Sequence, residues 1–150
     1  INDATFYNGQ LYVSYFSLSG GFKADIYDGG VAQLDPYTTE PPMPVLTGLW
    51  KPHTPKFFDG KLYVLDSMRG NLVSGKQERL PQLPGFVRGM DKSENIFFIG
   101  QSADMYVTDR MQSETVMLNA GIYVCDTKYN ATRFINFKGA MNIHDIIIWE

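Results

Sequence analysis

A single cysteine, Cys125, in 150 residues leaves no internal disulfide and no cysteine-based metal motif available. Flanked by Val124 and Asp126 in an apparent strand, its thiol reads as a small buried hydrophobe. No window approaches the ~20 consecutive apolar residues that a membrane helix requires, and no basic segment leads into an apolar signal core. A soluble chain in a reducing, cytoplasmic compartment is therefore expected, unless a leader precedes Ile1. The triplet Asn130-Ala131-Thr132 matches a glycosylation acceptor that a cytoplasmic chain would not use. Thirteen basic against sixteen acidic side chains give a net charge of -3, with no cluster of Lys or Arg to track phosphates. Nucleic acid is excluded as an expected partner. Also missing are a serine nucleophile elbow, a P-loop, a dinucleotide-binding glycine pattern and a His-Glu-x-x-His pair, which removes several common enzyme classes.

What the chain has is aromatic and turn-forming. Nine Tyr and ten Phe within a 44% apolar composition suit half-buried pleated surfaces, and no useful stretch follows the 3.6-residue helical period. One hairpin occurs twice, as Phe6-Tyr7-Asn8-Gly9-Gln10-Leu11-Tyr12-Val13 and as Phe57-Phe58-Asp59-Gly60-Lys61-Leu62-Tyr63-Val64, offset by 60 − 9 = 51 residues. Asn-Gly and Asp-Gly are preferred centres of two-residue turns whose twist matches the flanking strands. A third copy runs from Met90 to Ile99, where Asp91 to Asn95 predicts a longer loop. Third strands opened by glycine follow at Gly30–Asp35, Gly70–Val73 and Gly121–Asp126, and fourth strands near Val45–Leu49, Glu78–Leu83 and Thr132–Phe137. The closing Ile143–Ile148 resembles the opening Ile1–Phe6 and predicts the first strand of another unit.

Four short strands recurring every ~40 to 50 residues predict an all-β β-propeller, with an antiparallel sandwich as the alternative. About three four-stranded blades are expected, near residues 1–50, 51–84 and 85–139, with 140–150 opening a further one. Three blades do not close a ring, so a segment of a larger ring of about six blades is expected, with completion by a second copy as the alternative.

The stretch Pro52-His53-Thr54-Pro55-Lys56, placed before the Asp59-Gly60 hairpin, resembles a Pro-His-Ser-Pro-Arg marker of a bacterial family of uncharacterised propeller-like proteins. A second marker of that family, Leu-Pro-Gly-Phe-x-Arg-Gly, stands intact as Leu83-Pro84-Gly85-Phe86-Val87-Arg88-Gly89. Asp28-Gly29-Gly30-Val31 and Gly121–Asp126 are further echoes, so the likeness spans most of the chain. Thr54 replaces Ser, Lys56 replaces Arg, and the long loop after Gly100 departs from the family pattern. The resemblance implies the propeller fold and no assigned activity.

In a propeller, the residues entering successive first strands meet at one mouth of the central channel. By this alignment they are Asn2 and Asp3, His53 and Thr54, Val87 and Arg88, and His144 and Asp145. The expected ligand-binding residues are therefore His53, Arg88, His144, Asp145, Asn2 and Asp3. Prolines on both sides restrict His53, and its ordinary pKa of ~6.5 suits proton transfer near neutrality. The structural alternative is a hydrogen bond to a neighbouring blade. Arg88 offers a fork for carboxylate or phosphate, or a structural pairing with Asp3 or Asp145. His53, His144 and Asp145 are weak candidates for a divalent metal, without a spacing motif. Two long insertions, Tyr15 to Tyr27 and Gln101 to Ala120, are expected on the same face, with Trp50, Tyr106 and Phe22 as candidate pocket-lining aromatics.

Three functions are compatible with this pattern: a non-catalytic module binding a small polar or anionic molecule or a protein at the channel mouth, a metal-assisted hydrolase resembling propeller lactonases, and a self-associating scaffold. Homo-oligomerisation is expected in the last case.

Overall fold

The computed structural model describes residues 1–75, 78–79, 82–103 and 118–149. The described chain is all-β, and among the described residues the single helical element is a 3-10 turn at Gly21–Ala24. Among the described residues, twelve strands form three antiparallel sheets, each in simple sequence order. The first contains β1 (Ala4–Tyr7), β2 (Gln10–Tyr15), β3 (Gly29–Leu34) and β4 (Met43–Leu49). The second contains β5 (His53–Phe58), β6 (Lys61–Asp66), β7 (Asn71–Ser74) and the two-residue β8 (Glu78–Arg79). The third contains β9 (Phe86–Ser93), β10 (Ile96–Ser102), β11 (Gly121–Asp126) and β12 (Ala131–Asn136).

The turns explain the register. Asn8 and Gly9 adopt φ of 48° and 77°, and Asp59 and Gly60 adopt 51° and 75°, so both repeated turns are left-handed at each centre. They close the pairs Tyr7↔Gln10 and Phe58↔Lys61. The third hairpin corrects the sequence reading: pairing continues to Ser93↔Ile96, leaving Glu94 and Asn95 as a two-residue turn with Glu94 at φ 50°. The expected longer loop does not form, because Asp91–Ser93 belong to β9. The expected terminal strand at Ile143–Ile148 also falls outside regular ladder geometry. Its backbone is bound through side chains instead: Ile143 N–H donates to Ser102 Oγ (3.3 Å) and Ile148 N–H to Asp91 Oδ2 (2.8 Å).

The chain divides into two compact units. One comprises Ile1–Ser67 with Asn71–Gln82, and the other Met68–Gly70 with Leu83–Glu150. In the first unit, Val31, Leu46 and Leu49 meet Leu62, Val64 and Val73 in a buried cluster, with Tyr12, Val45 and Phe57 packed against it. Two sheets thus share one core, and each fully buried Val or Leu contributes roughly 1.5–3 kcal/mol of transfer free energy. Tyr7 of β1 stacks on Phe57 of β5 with ring centroids 3.9 Å apart, so the first strands of these sheets are neighbours. In the second unit, Phe86, Val87, Met90, Phe97, Ile99 and Tyr123 are buried, and Phe134 of β12 packs on Tyr123 at 4.7 Å.

Candidate functional site

Counting back from each hairpin turn superimposes the predicted site residues. Six positions before Asn8, Asp59 and Glu94 (8 − 2, 59 − 53, 94 − 88) stand Asn2, His53 and Arg88; five before stand Asp3, Thr54 and Gly89. The backbone supports this alignment, since Thr54 and Gly89 both adopt left-handed φ, 54° and 69°. Beside each lies a register irregularity, between His53 and Lys56 in β5 and across Ile99/Gln101 opposite β9. Such bulges re-aim the side chains next to them. Arg88 is therefore the counterpart of His53, one position from the sequence alignment that set it beside Thr54.

In the first unit the site residues hold one another. Asp3 Oδ2 accepts the Thr54 N–H at 2.9 Å, and Asn2 Nδ2 donates to the Pro52 carbonyl at 3.4 Å. The N–H of Asp3 in turn donates to Ser14 Oγ at 3.0 Å. His53 is 3% exposed. Its Nδ1 lies 2.9 Å from the Lys51 carbonyl and 2.8 Å from Ser67 Oγ. A carbonyl only accepts, so Nδ1 carries a proton, and the lone pair of the neutral ring sits on Nε2. The Ser67 hydroxyl turns toward the Leu65 carbonyl at 3.4 Å, and the Phe16 ring lies 5.2 Å from the imidazole. The Nδ1 bonds thus hold the start of β5 against the end of β6.

The second unit contains Arg88, His144 and Asp145. Gly89 brings their segments together: a Cβ there would lie 2.6 Å from Asp145 Cα, so the two backbones touch and glycine is required by space as well as by φ. Arg88 is half-buried, and its Nε is buried with no hydrogen-bond partner. His144 and Asp145 are exposed, and Asp145 Oδ1 accepts the Ile146 N–H at 2.9 Å. Among the described residues, no group of three or more His, Cys, Asp or Glu side chains is arranged to hold a metal ion. Of the weak metal candidates, His53 belongs to the first unit and His144 and Asp145 to the second.

Of the insertions, residues 104–117, with Asp104, Tyr106 and Arg110, lie outside the described residues, as does the side chain of Phe22. The loop after Tyr15 is described and well bonded. Asp28 accepts from the Ser17 hydroxyl, from the Leu18 N–H at 3.2 Å and from the Ser19 N–H at 3.0 Å. These donors, the Ser17 hydroxyl foremost, hold the Asp28 carboxyl below its usual range despite some desolvation. Tyr15, at the loop's other end, has its phenol pushed up by burial and then by the Asp28 charge, and its hydroxyl is buried without a partner. Trp50 packs on Tyr27 at 4.8 Å, and its backbone N–H donates to Oδ1 of the buried Asp66 at 2.7 Å. Sequence reasoning did not single out Phe16, Asp28, Asp66 or Ser67. Two of these were readable by counting, since Phe16 and Ser67, like Ser102, stand eight residues after a turn (16 − 8, 67 − 59, 102 − 94).

The class this defines is an all-β protein of three antiparallel sheets, in which the first-strand entrances of two sheets repeat one bulged, left-handed corner. The family described as Domain of unknown function (DUF4915) matches residues 8–149, and the chain belongs to it. Comparison with curated proteins and with solved structures yields no match. Among the described residues no helix is long and apolar enough to cross a membrane.

Proposed function

We propose that the three sheets are blades of a β-propeller, and that the protein is a binding module whose Arg88 receives a small carboxylate- or phosphate-bearing ligand. Support for the blades comes from the turn-counted equivalence of Asn2, His53 and Arg88, and from β1 lying beside β5 as first strands of successive blades would. Support for the ligand comes from one observation above all: the buried Nε of Arg88 has no acceptor. A buried donor left unpaired costs about 1–3 kcal/mol, which an anionic oxygen reaching the guanidinium would offset. The planar fork of arginine suits a carboxylate or phosphate, and the backbone of Asp145 lies against that of Gly89, the residue next to Arg88. No hydrolytic reading is favoured by a comparable observation.

The test is thermal unfolding of the protein with inorganic phosphate, acetate and citrate at matched ionic strength. At least one of these is expected to raise Tm, and Arg88→Ala is expected to abolish the rise while leaving the unliganded Tm unchanged or higher, since the unpaired donor is removed. Equal shifts in Arg88→Ala and the parent protein, or no shift with any of the three anions, would contradict an anion subsite at this residue.

A further inference from the structure

The loop between β2 and β3 touches the start of β5 at both of its ends. At one end Phe16 lies 5.2 Å from the His53 imidazole, ring to ring. At the other, Tyr27 packs on Trp50 at 4.8 Å, with the Lys51 ammonium 5.5 Å from the Tyr27 centroid. Trp50, Lys51 and His53 form the short segment that enters β5. Between its ends the loop is gathered by Asp28, which accepts from Ser17, Leu18 and Ser19 at once, while Ser19 Oγ accepts the Gly21 N–H at 3.2 Å and Asp25 accepts from the Tyr27 hydroxyl at 2.8 Å. The base is drawn in tightly: a Cβ on Gly29 would lie 2.7 Å from the carbonyl oxygens of both Tyr15 and Phe16, and 2.8 Å from that of Leu49. In the outer part of the loop Leu18 is 74% and Ile26 53% exposed. The Asp28 carboxylate thus ties the Ser17–Ser19 end of the loop to its base.

We propose that residues 16–28 form a strap closed over His53, and that the Asp28 carboxylate is the latch that keeps it closed. With the latch made, Phe16 shields the imidazole; with the latch broken, the Phe16 end lifts and the Nε2 edge of His53 becomes reachable from solvent. Three hydrogen bonds to one ionised group are charge-assisted and weaken together when the charge is removed. The strap is independent of the Arg88 reading, because every residue in it belongs to the first unit.

The chain has two histidines, His53 under the strap and His144 exposed, so each molecule carries its own reference. Carbethoxylation by diethyl pyrocarbonate at neutral pH, followed by peptide mass spectrometry, gives the labelling rate of each. In the parent protein His144 is expected to label readily and His53 to resist. In Asp28→Asn the His53 rate is expected to rise at least about tenfold relative to His144, as removal of charge-assisted hydrogen bonds from a closed state implies. Amide exchange at the buried Val31 and Val64 confirms that the core remains folded in the variant. Ser17→Ala removes one donor while keeping the carboxylate and is expected to give a smaller rise in the same direction, so the test survives if Asp28→Asn fails to fold. Labelling of His53 as fast as His144 in the parent, or an unchanged His53 rate in folded variants, overturns the proposal.

Discussion

At the scale of single residues, the contrast between His53 and Arg88 carries the functional reading. Both occupy the sixth position before a hairpin turn, yet the histidine has its Nδ1 satisfied by Lys51 and Ser67 while the arginine keeps a buried Nε without an acceptor. The sequence made His53 legible through Pro52 and Pro55, which flank the His53-Thr54 pair, and the ring is bonded through Nδ1 to Lys51 and Ser67. Nothing in the sequence marked Asp28 as the organiser of its loop, because hydrogen bonds from Leu18 and Ser19 amides depend on a backbone path that composition does not encode. Cys125 was readable as a small buried hydrophobe, and it is a free, partly buried thiol. Burial pushes that thiol up, opposed in part by a hydrogen bond with the Thr132 side chain. Since the thiolate is the reactive form, Cys125 is expected to alkylate several-fold more slowly than a free thiol at pH 8, as measured with iodoacetamide. A rate equal to that of glutathione would contradict this account of its environment.

At the scale of elements, the hairpins were the most legible feature, because an Asn-Gly or Asp-Gly centre specifies both the turn and the register of the strands it joins. The third hairpin was misread for the same reason in reverse. Glu94-Asn95 lacks a glycine, so the turn signal was spread over Asp91 to Asn95 and a longer loop was expected. Tertiary pairing instead forces Glu94 to φ 50°, a conformation that costs a residue with an ordinary side chain about 1 kcal/mol. Glu94→Asn is therefore expected to stabilise the protein by about 0.5–1 kcal/mol, because asparagine tolerates the left-handed region. Urea unfolding checks this, with a higher midpoint and an unchanged slope as the expected result. The ends of the second strands carry a further regularity. Tyr15, Asp66 and Gln101 each stand seven positions after a turn (15 − 8, 66 − 59, 101 − 94). Asp66 holds the Trp50 N–H, whereas Gln101 donates to the Asn119 carbonyl at 2.8 Å and accepts from the Tyr123 hydroxyl at 2.7 Å. Three different chemistries stand at one repeated position, which hides the equivalence from any comparison of residue types.

At the scale of the whole molecule, the all-β class and the three sheets in sequence order were legible because, among the described residues, each strand pairs with its neighbour in the chain. The arrangement of sheets is a different matter, since it depends on apolar faces whose alternation is the same in a blade and in a sandwich layer. Burial of Val31, Leu46, Val64 and Val73 is compatible with either case. Membership of the DUF4915 family extends over nearly the entire chain and assigns no chemistry, so the functional reading stands on the side chains alone. Its framework is the proposal that successive sheets are blades presenting Asn2, His53 and Arg88 from equivalent inner-strand positions. A crystal structure of the protein tests that most directly. The account predicts β1, β5 and β9 as the inner strands of consecutive blades around one axis; sheets stacked face to face as a sandwich, with Arg88 remote from Asn2 and His53, would contradict it.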